Sequence, residues 1–91
     1  MSRIDIRRPH QRSRQDVRAA VDRLACSLGG QFGVCHRWDG DTLAFERSGV
    51  RGRIAVSDHD VHVSAELGLL MGAMKPLIER EIERYLDQHL A

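Results

Sequence analysis

Four consecutive segments in the middle of the chain, 32–38, 42–47, 50–56 and 61–67, place apolar side chains mostly at every second position. This period is typical of strands with one buried face. Tight turns at Asp39-Gly40 and Ser48-Gly49 and a loop at 57–60 pair His36 with Leu43, Phe45 with Gly52, and Ile54 with Val63. All three turns put the apolar sets on the same face, and a slip of one residue would break this agreement. The pattern therefore predicts a four-stranded antiparallel meander.

A fifth strand and a first helix are predicted before the meander. Ile4 and Ile6 alternate with charged residues in segment 2–8, and Pro9 follows, which suits a short edge strand. Ser13, with Asp16 three positions later, resembles a capping box. The spacing of apolar residues then predicts a helix to about residue 28, ended by the two glycines at 29–30.

The C-terminal end, from Lys75 to Leu90, predicts a helix that lies on the sheet. Its apolar stripe consists of Leu77, Ile78, Ile82, Tyr85, Leu86 and Leu90. Pro76 is tolerated only in a first helical turn or at a kink. The helical spacing continues back to Leu69, so we favour a longer helix kinked at Pro76 over one that begins near Lys75.

These elements predict an α+β fold in the order β-α-β-β-β-β-α, with two helices packed on one face of an antiparallel sheet. At 91 residues the chain is expected to form one domain, 1–91. Hydrophobic residues make up 42% and charged residues 30%, as in globular proteins. No apolar run is long enough for a membrane span, so we expect a cytoplasmic protein. Cys26 and Cys35 lack metal spacing and are expected to be free thiols.

Charge is distributed unevenly along the chain. Residues 1–53 carry eleven basic and six acidic side chains, whereas residues 54–91 carry three and seven. The halves can neutralise each other within the fold or across a dimer. The net charge of +1 makes nucleic-acid binding unlikely as a function. On the outer face of the sheet, pairs of Glu46 with Arg51 and of Arg51 with Glu66 predict a polar, solvated surface.

No catalytic, metal or cofactor site is predicted. Cys35 and His36 are neighbours on a strand and point to opposite faces, so they cannot act as nucleophile and base. Cys26 lies opposite the apolar stripe of its helix. A loop with nearby strand residues offers four potential metal ligands, Asp58, His59, Asp60 and His62. Strand alternation sends His62 outward, however, and aspartate and histidine are ordinary in turns.

His36 and Arg47 are placed on the inner face by strand parity, and this permits two interpretations. In the first, His36 is a satisfied core residue and Arg47 reaches solvent from a strand end. In the second, both line a pocket, because the small residues beside Phe45 leave a groove instead of accepting its ring. The candidate ligand-binding residues are His36, Phe45, Arg47, Gly52 and Met74.

Three blocks of sequence carry a family resemblance: 4–10 (IDIRRPH), 45–52 (FERSGVRG) and 66–76 (ELGLLMGAMKP) leading into 78–82. Together they resemble the small bacterial family of polyhydroxyalkanoic acid system proteins, or polyhydroxyalkanoate granule region proteins. The resemblance implies an accessory role in polyester storage, with a place at the storage granule, and it brings no catalytic residues. At fold level alone, the predicted shape is also similar to helix-grip proteins that bind lipids and polyketides.

Two functions follow as hypotheses. The first is a non-enzymatic accessory protein of polyhydroxyalkanoate storage that associates with a partner protein, the granule surface or itself. The second is a small acyl- or lipid-binding module with its ligand between the sheet and the C-terminal helix. A filled core with an exposed apolar patch favours the first, and an apolar cavity favours the second. A homodimer is also proposed, through an edge strand or the segment 69–71.

Overall fold

The computed structural model describes residues 2–90 and confirms the predicted α+β architecture. One antiparallel sheet has the strand order β1-β5-β4-β3-β2. The strands are β1 (Ser2–Pro9), β2 (Cys35–Asp39), β3 (Thr42–Arg47), β4 (Val50–Val56) and β5 (Asp60–Leu67). The helices are α1 (Arg14–Phe32) and α2 (Lys75–Leu90), and a 3-10 helix (Leu69–Met74) precedes α2. Among residues 2–90, no helix is both long enough and apolar enough to cross a membrane.

The register of the meander is as predicted at two turns and differs at one. Phe45 pairs with Gly52, and Ile54 pairs with Val63. His36, however, pairs with Phe45 and not with Leu43. The loop consists of Gly40 and Asp41, one residue later than predicted, and the positive φ of 61° falls on Gly40. Because the resulting shift in pairing is two residues, each side chain stays on its predicted face.

Helix α1 begins as predicted and ends later than predicted. The Ser13 hydroxyl accepts a hydrogen bond from the Asp16 amide at 3.1 Å. The helix passes through both glycines at 29–30 and reaches Phe32, so the prediction that these glycines end it was wrong. The left-handed residue is Gly33, with φ 77°, and its amide bonds the carbonyl of Gly29. Buried Phe32 therefore belongs to the last helical turn and not to a strand.

The C-terminal α-helix begins at Lys75, so the preferred prediction of one longer helix kinked at Pro76 was wrong, and residues 69–74 form a more tightly wound 3-10 helix instead. The 3-10 helix continues into α2 at Lys75, whose amide bonds the carbonyl of Gly72. Pro76 then lies in the first turn of α2, where its missing N–H breaks no helical hydrogen bond. Two members of the predicted stripe are not fully buried, since Leu77 is 47% exposed and Tyr85 is partly buried.

The core lies on one face of the sheet, between the strands and the two helices. It contains Ile4, Val17, Leu24, Leu43, Phe45, Ile54, Val63, Leu67, Ile82 and Leu86 among its best-buried members. Glu81 is also buried, and its carboxylate accepts hydrogen bonds from Ser27 on α1 and Arg84 on α2. This buried carboxylate therefore helps to join the two helices.

Ion pairs within the fold connect the basic and acidic halves of the chain. Arg7 contacts Asp60 at 3.2 Å, and Arg14 contacts Asp58 at 2.9 Å. Arg8 pairs with Asp87 on α2. Exposed pairs of this kind contribute little stability individually. These pairs nevertheless bring positive charges of residues 1–53 next to negative charges of residues 54–91 within one molecule. A dimer is therefore not needed to neutralise the two halves of the chain.

Gly30→Ala should stabilise the protein by about 0.5–1 kcal/mol, because alanine has less freedom to lose in a helix. A Cβ at Gly30 meets nothing within 4 Å. Gly29→Ala is the matched control, since its Cβ would lie 3.0 Å from the Val34 carbonyl oxygen. Urea unfolding should show a gain for Gly30→Ala that is absent from Gly29→Ala. Equal effects would contradict the position assigned to the helix end.

Leu86→Ala should lower the free energy of unfolding by roughly 2–5 kcal/mol, because it opens a cavity under α2. Leu86 is only 2% exposed. Leu77→Ala removes the same atoms from the same helix at an exposed position and should cost under about 1 kcal/mol. Denaturant midpoints of the two variants provide the comparison. Similar midpoints would mean that α2 is not docked through Leu86.

Glu81→Gln should destabilise the protein near neutral pH by about 1–2 kcal/mol through loss of charge-assisted hydrogen bonds. The Arg84 hydrogen bond, followed by that of Ser27, holds the pKa of Glu81 below its ordinary value of 4.5. The carboxylate therefore contributes stability above pH 4.5, and this contribution disappears as pH falls through the lowered pKa.

The difference in unfolding free energy between wild type and Glu81→Gln should accordingly shrink below pH 4.5. Glu83→Gln, at an exposed position of the same helix, is the control and should change stability little at either pH. A Glu81→Gln difference that stays constant on acidification would contradict the assigned hydrogen bonds.

Candidate functional site

Three of the five predicted ligand-binding residues lie in one cross-strand row on the inner face of the sheet. His36, Phe45 and Gly52 are successive partners on β2, β3 and β4. The row continues through Ala65 to Ile4 on the other edge strand. The structure therefore brings three of the five candidates next to one another, and of these pairings the sequence had predicted only that of Phe45 with Gly52.

The ring of Phe45 occupies the space that a groove in this row would need. A Cβ built on Gly52 would lie 2.3 Å from the Cζ atom of Phe45. No real Cβ tolerates that distance, so the missing side chain of Gly52 is filled by the ring. Phe45 is 1% exposed. The small residue thus accepts its bulky neighbour, which favours a filled core.

Arg47 lies at the end of β3 and completes the end of α1. Its Nη1 donates to the Phe32 carbonyl at 2.7 Å, and its Nε donates to the Ser48 carbonyl at 3.3 Å. A cation at a helix C-terminus satisfies an unpaired carbonyl and complements the helix dipole. The side chain is exposed. This arrangement agrees with an arginine that reaches outward from a strand end.

Met74 and its neighbour Met71 are partly buried and pack against the core from the 3-10 helix. A Cβ on Gly49 would lie 2.7 Å from the Cγ atom of Met71, so this methionine lies over the turn between β3 and β4. Of the five candidates, His36, Phe45 and Gly52 line one open depression at the sheet, and the residues that line it include neither Arg47 nor Met74.

The potential metal ligands of the loop at 57–60 have other partners. Asp58 pairs with Arg14. Asp60 accepts from the Ser57 hydroxyl and from Arg7, and these contacts lower its pKa below the ordinary value. His62 Nε2 lies 2.7 Å from Asp5 on the outer face. These residues brace the β4–β5 loop and the outer face, and they do not converge on a point.

A different set of ligand atoms converges at the contact of α1 with β2. One donor atom each from Asp22, Cys26 and His36 lies within 4.8 Å of the other two. His36 Nε2 is 3.4 Å from Asp22 Oδ1, which also accepts from Trp38 Nε1 at 3.0 Å. Sequence reasoning compared His36 with adjacent Cys35 and missed this group. The available signal was the i, i+4 spacing of Asp22 and Cys26 on the polar face of α1.

The three atoms meet at a point instead of forming a chain. A nucleophile–base–acid relay needs the imidazole ring between the thiol and the carboxylate, with one ring nitrogen toward each. Here the sulfur of Cys26 and a carboxylate oxygen of Asp22 are themselves within 4.8 Å of each other. Such an arrangement fits ion binding better than general-base catalysis.

The helix-free face of the sheet is polar and holds an open depression of about 330 Å³. Its lining includes the charged residues Arg37, Glu46, Arg51 and Arg53. The predicted charge ladder is present, because Arg51 is the strand partner of both Glu46 and Glu66. A shallow charged surface of this kind does not suit an acyl chain.

Three leucines are exposed on the 3-10 helix and the first turn of α2, and we call them together the leucine patch. Leu69 is 85% exposed, Leu70 is 96% exposed and Leu77 is 47% exposed. They are the large apolar residues that stand out as exposed among residues 2–90. Two of them, Leu69 and Leu70, are adjacent in sequence and almost fully exposed, which makes this segment a candidate for an interaction surface.

Comparison with known proteins identifies one family. Residues 4–90 match the model of the family described as "Putative polyhydroxyalkanoic acid system protein". That description names no enzymatic activity. Searches of curated proteins and of solved structures found no match to the chain. Because the match spans almost its whole length, the chain belongs to the family of polyhydroxyalkanoic acid system proteins.

Proposed function

We propose that this protein is a non-enzymatic accessory protein of polyhydroxyalkanoate storage that associates with the granule surface through its leucine patch. The family supplies the biological setting. The observation that carries the mode of action is the exposure of Leu69 and Leu70. A polyester granule presents a continuous apolar surface, which is the environment that such side chains prefer to water.

The backbone around the patch holds these leucines outward. The Gly68 amide bonds the Gly49 carbonyl at 2.9 Å, and the Met71 amide bonds the Gly68 carbonyl at 3.0 Å. Met71 packs over Gly49 and anchors the segment to the sheet. Leu69 and Leu70 therefore project from a fixed 3-10 helix and do not belong to a loose loop.

The size of the patch argues for weak, reversible adsorption. Burial of three leucines, weighted by their exposure, is worth about 3–7 kcal/mol. This corresponds to dissociation constants from millimolar to about 10 µM. A specific protein interface usually buries about 800 Å² on each side, which is more than three leucine side chains supply. A granule requires no such complementary shape.

The close mutual approach of Asp22, Cys26 and His36 differs from the geometry of a nucleophile–base–acid relay, which supports the proposal of a non-enzymatic role. The acyl-binding alternative needs space between sheet and helix, and the packing of Phe45 on Gly52 argues against it. The assignment of ligand binding to His36, Phe45, Arg47, Gly52 and Met74 stays a prediction.

Leu70→Glu should reduce binding to purified polyhydroxyalkanoate particles by roughly 30-fold or more, because it removes a leucine and adds a charge. Flotation or co-sedimentation of protein with washed particles measures the bound fraction. Ala19→Glu adds the same charge at an exposed position of α1 and should bind like wild type. Equal binding of all three proteins, or no binding by wild type, would contradict the proposal.

Sedimentation equilibrium of the same variants separates adsorption from self-association. A wild-type dimer that Leu70→Glu dissociates would mean that a second copy covers the patch, as the homodimer hypothesis requires. A dimer that survives Leu70→Glu would instead fit pairing through the β1 or β2 edge. A monomer throughout, near 10.3 kDa, leaves the leucines free for the granule.

A further inference from the structure

Three side chains of different chemistry meet at the edge where α1 crosses β2. They offer a carboxylate oxygen from Asp22, a sulfur from Cys26 and an imidazole nitrogen from His36, all within 4.8 Å of one another. These are the three kinds of protein ligand that zinc takes. We propose that Asp22, Cys26 and His36 bind a Zn²⁺ ion.

The fold positions the ligands before any ion binds. Asp22 and Cys26 are one helical turn apart and therefore share a face of α1. His36 reaches them from the edge strand β2, with its side chain 24% exposed. Trp38 Nε1 donates to Asp22 Oδ1 at 3.0 Å and fixes the carboxylate, and this bond leaves Oδ2 available. Outer hydrogen bonds of this type orient metal ligands.

The tryptophan is itself held in place. The guanidinium of Arg18 lies over its ring, 4.4 Å from the centroid. Arg18 also pairs with Asp41 at 2.7 Å. A chain of contacts therefore runs from the β2–β3 loop through Arg18 and Trp38 to Asp22, and it restricts the carboxylate without involving Cys26.

The ligand set selects the ion. Sulfur and imidazole nitrogen disfavour Ca²⁺ and Mg²⁺, which take oxygen ligands. Carboxylate and thiolate together neutralise the two positive charges of zinc. Bond lengths of about 2.0–2.3 Å around one zinc place its ligand atoms roughly 3.5 Å apart. His36 Nε2 and Asp22 Oδ1 are already 3.4 Å apart, so a rotation that draws the Cys26 sulfur up to about 1 Å closer would complete three of four tetrahedral positions.

Solvent supplies the fourth position, because Cys26 is exposed. The ion would tie α1 to β2, an edge strand that pairs only with β3. This inference is independent of the leucine patch, whose residues lie in another part of the chain.

The test begins with reduced, metal-free protein titrated with Co²⁺ and then with Zn²⁺. The expected result is one ion per chain, a thiolate-to-cobalt charge-transfer band in the near ultraviolet, and loss of that band when zinc displaces cobalt. Zinc at a hundredfold excess over its dissociation constant should raise the melting temperature by on the order of 10 °C. A wild-type protein with no charge-transfer band would overturn the proposal.

Matched variants locate the site. Cys26→Ser should abolish the band and weaken zinc binding at least about tenfold, whereas Cys35→Ser, the other exposed cysteine, should behave like wild type. Asp22→Asn should weaken binding, and so should His36→Asn, while His62→Asn should not. Circular dichroism of each metal-free variant controls for folding.

Some results with these variants would contradict the assignment of Asp22, Cys26 and His36 as the zinc ligands. A band that persists in Cys26→Ser, or an equal loss in Cys26→Ser and Cys35→Ser, would overturn the assignment. Zinc binding that survives Cys26→Ser and is lost in His62→Asn would place the ion near the β4–β5 loop and would likewise overturn it.

Discussion

The contact between Phe45 and Gly52 determines what this small fold can do. A one-sided sheet with two helices across it can either enclose a ligand or fill the space with its own side chains. The phenyl ring occupies the place of the missing Cβ on the neighbouring strand, and the surrounding aliphatic residues close the layer. With the interior filled, the surfaces remain as the places where the protein can meet other molecules.

Strand faces were predictable from sequence, because a period of two is insensitive to small errors in the turns. The β2–β3 loop lies one residue later than expected, yet His36 and Phe45 keep their faces. Helix boundaries were less predictable, since they depend on tertiary contacts. Burial of Phe32 and the hydrogen bond of its carbonyl to Arg47 carry α1 past two glycines that would otherwise end it.

The two surface sites differ in how far sequence could reveal them. The segment 69–71 stands out in the sequence as apolar, but which of its side chains are exposed depends on how the 3-10 helix packs on the sheet. The group of Asp22, Cys26 and His36 depends on where a helix crosses an edge strand. No spacing along the chain encodes that crossing, and only the i, i+4 pair on α1 hinted at it.

A double-mutant cycle of Phe45→Leu and Gly52→Ala tests the filled interior most directly. Gly52→Ala alone should cost about 1–3 kcal/mol, because its methyl group meets the ring. In the double variant the smaller leucine should relieve that clash, so the combined cost should fall below the sum by about 1 kcal/mol or more. Additive effects, within about 0.5 kcal/mol, would show that open space separates the two residues. That result would contradict the claim that the interior is filled and that the protein acts through its surfaces.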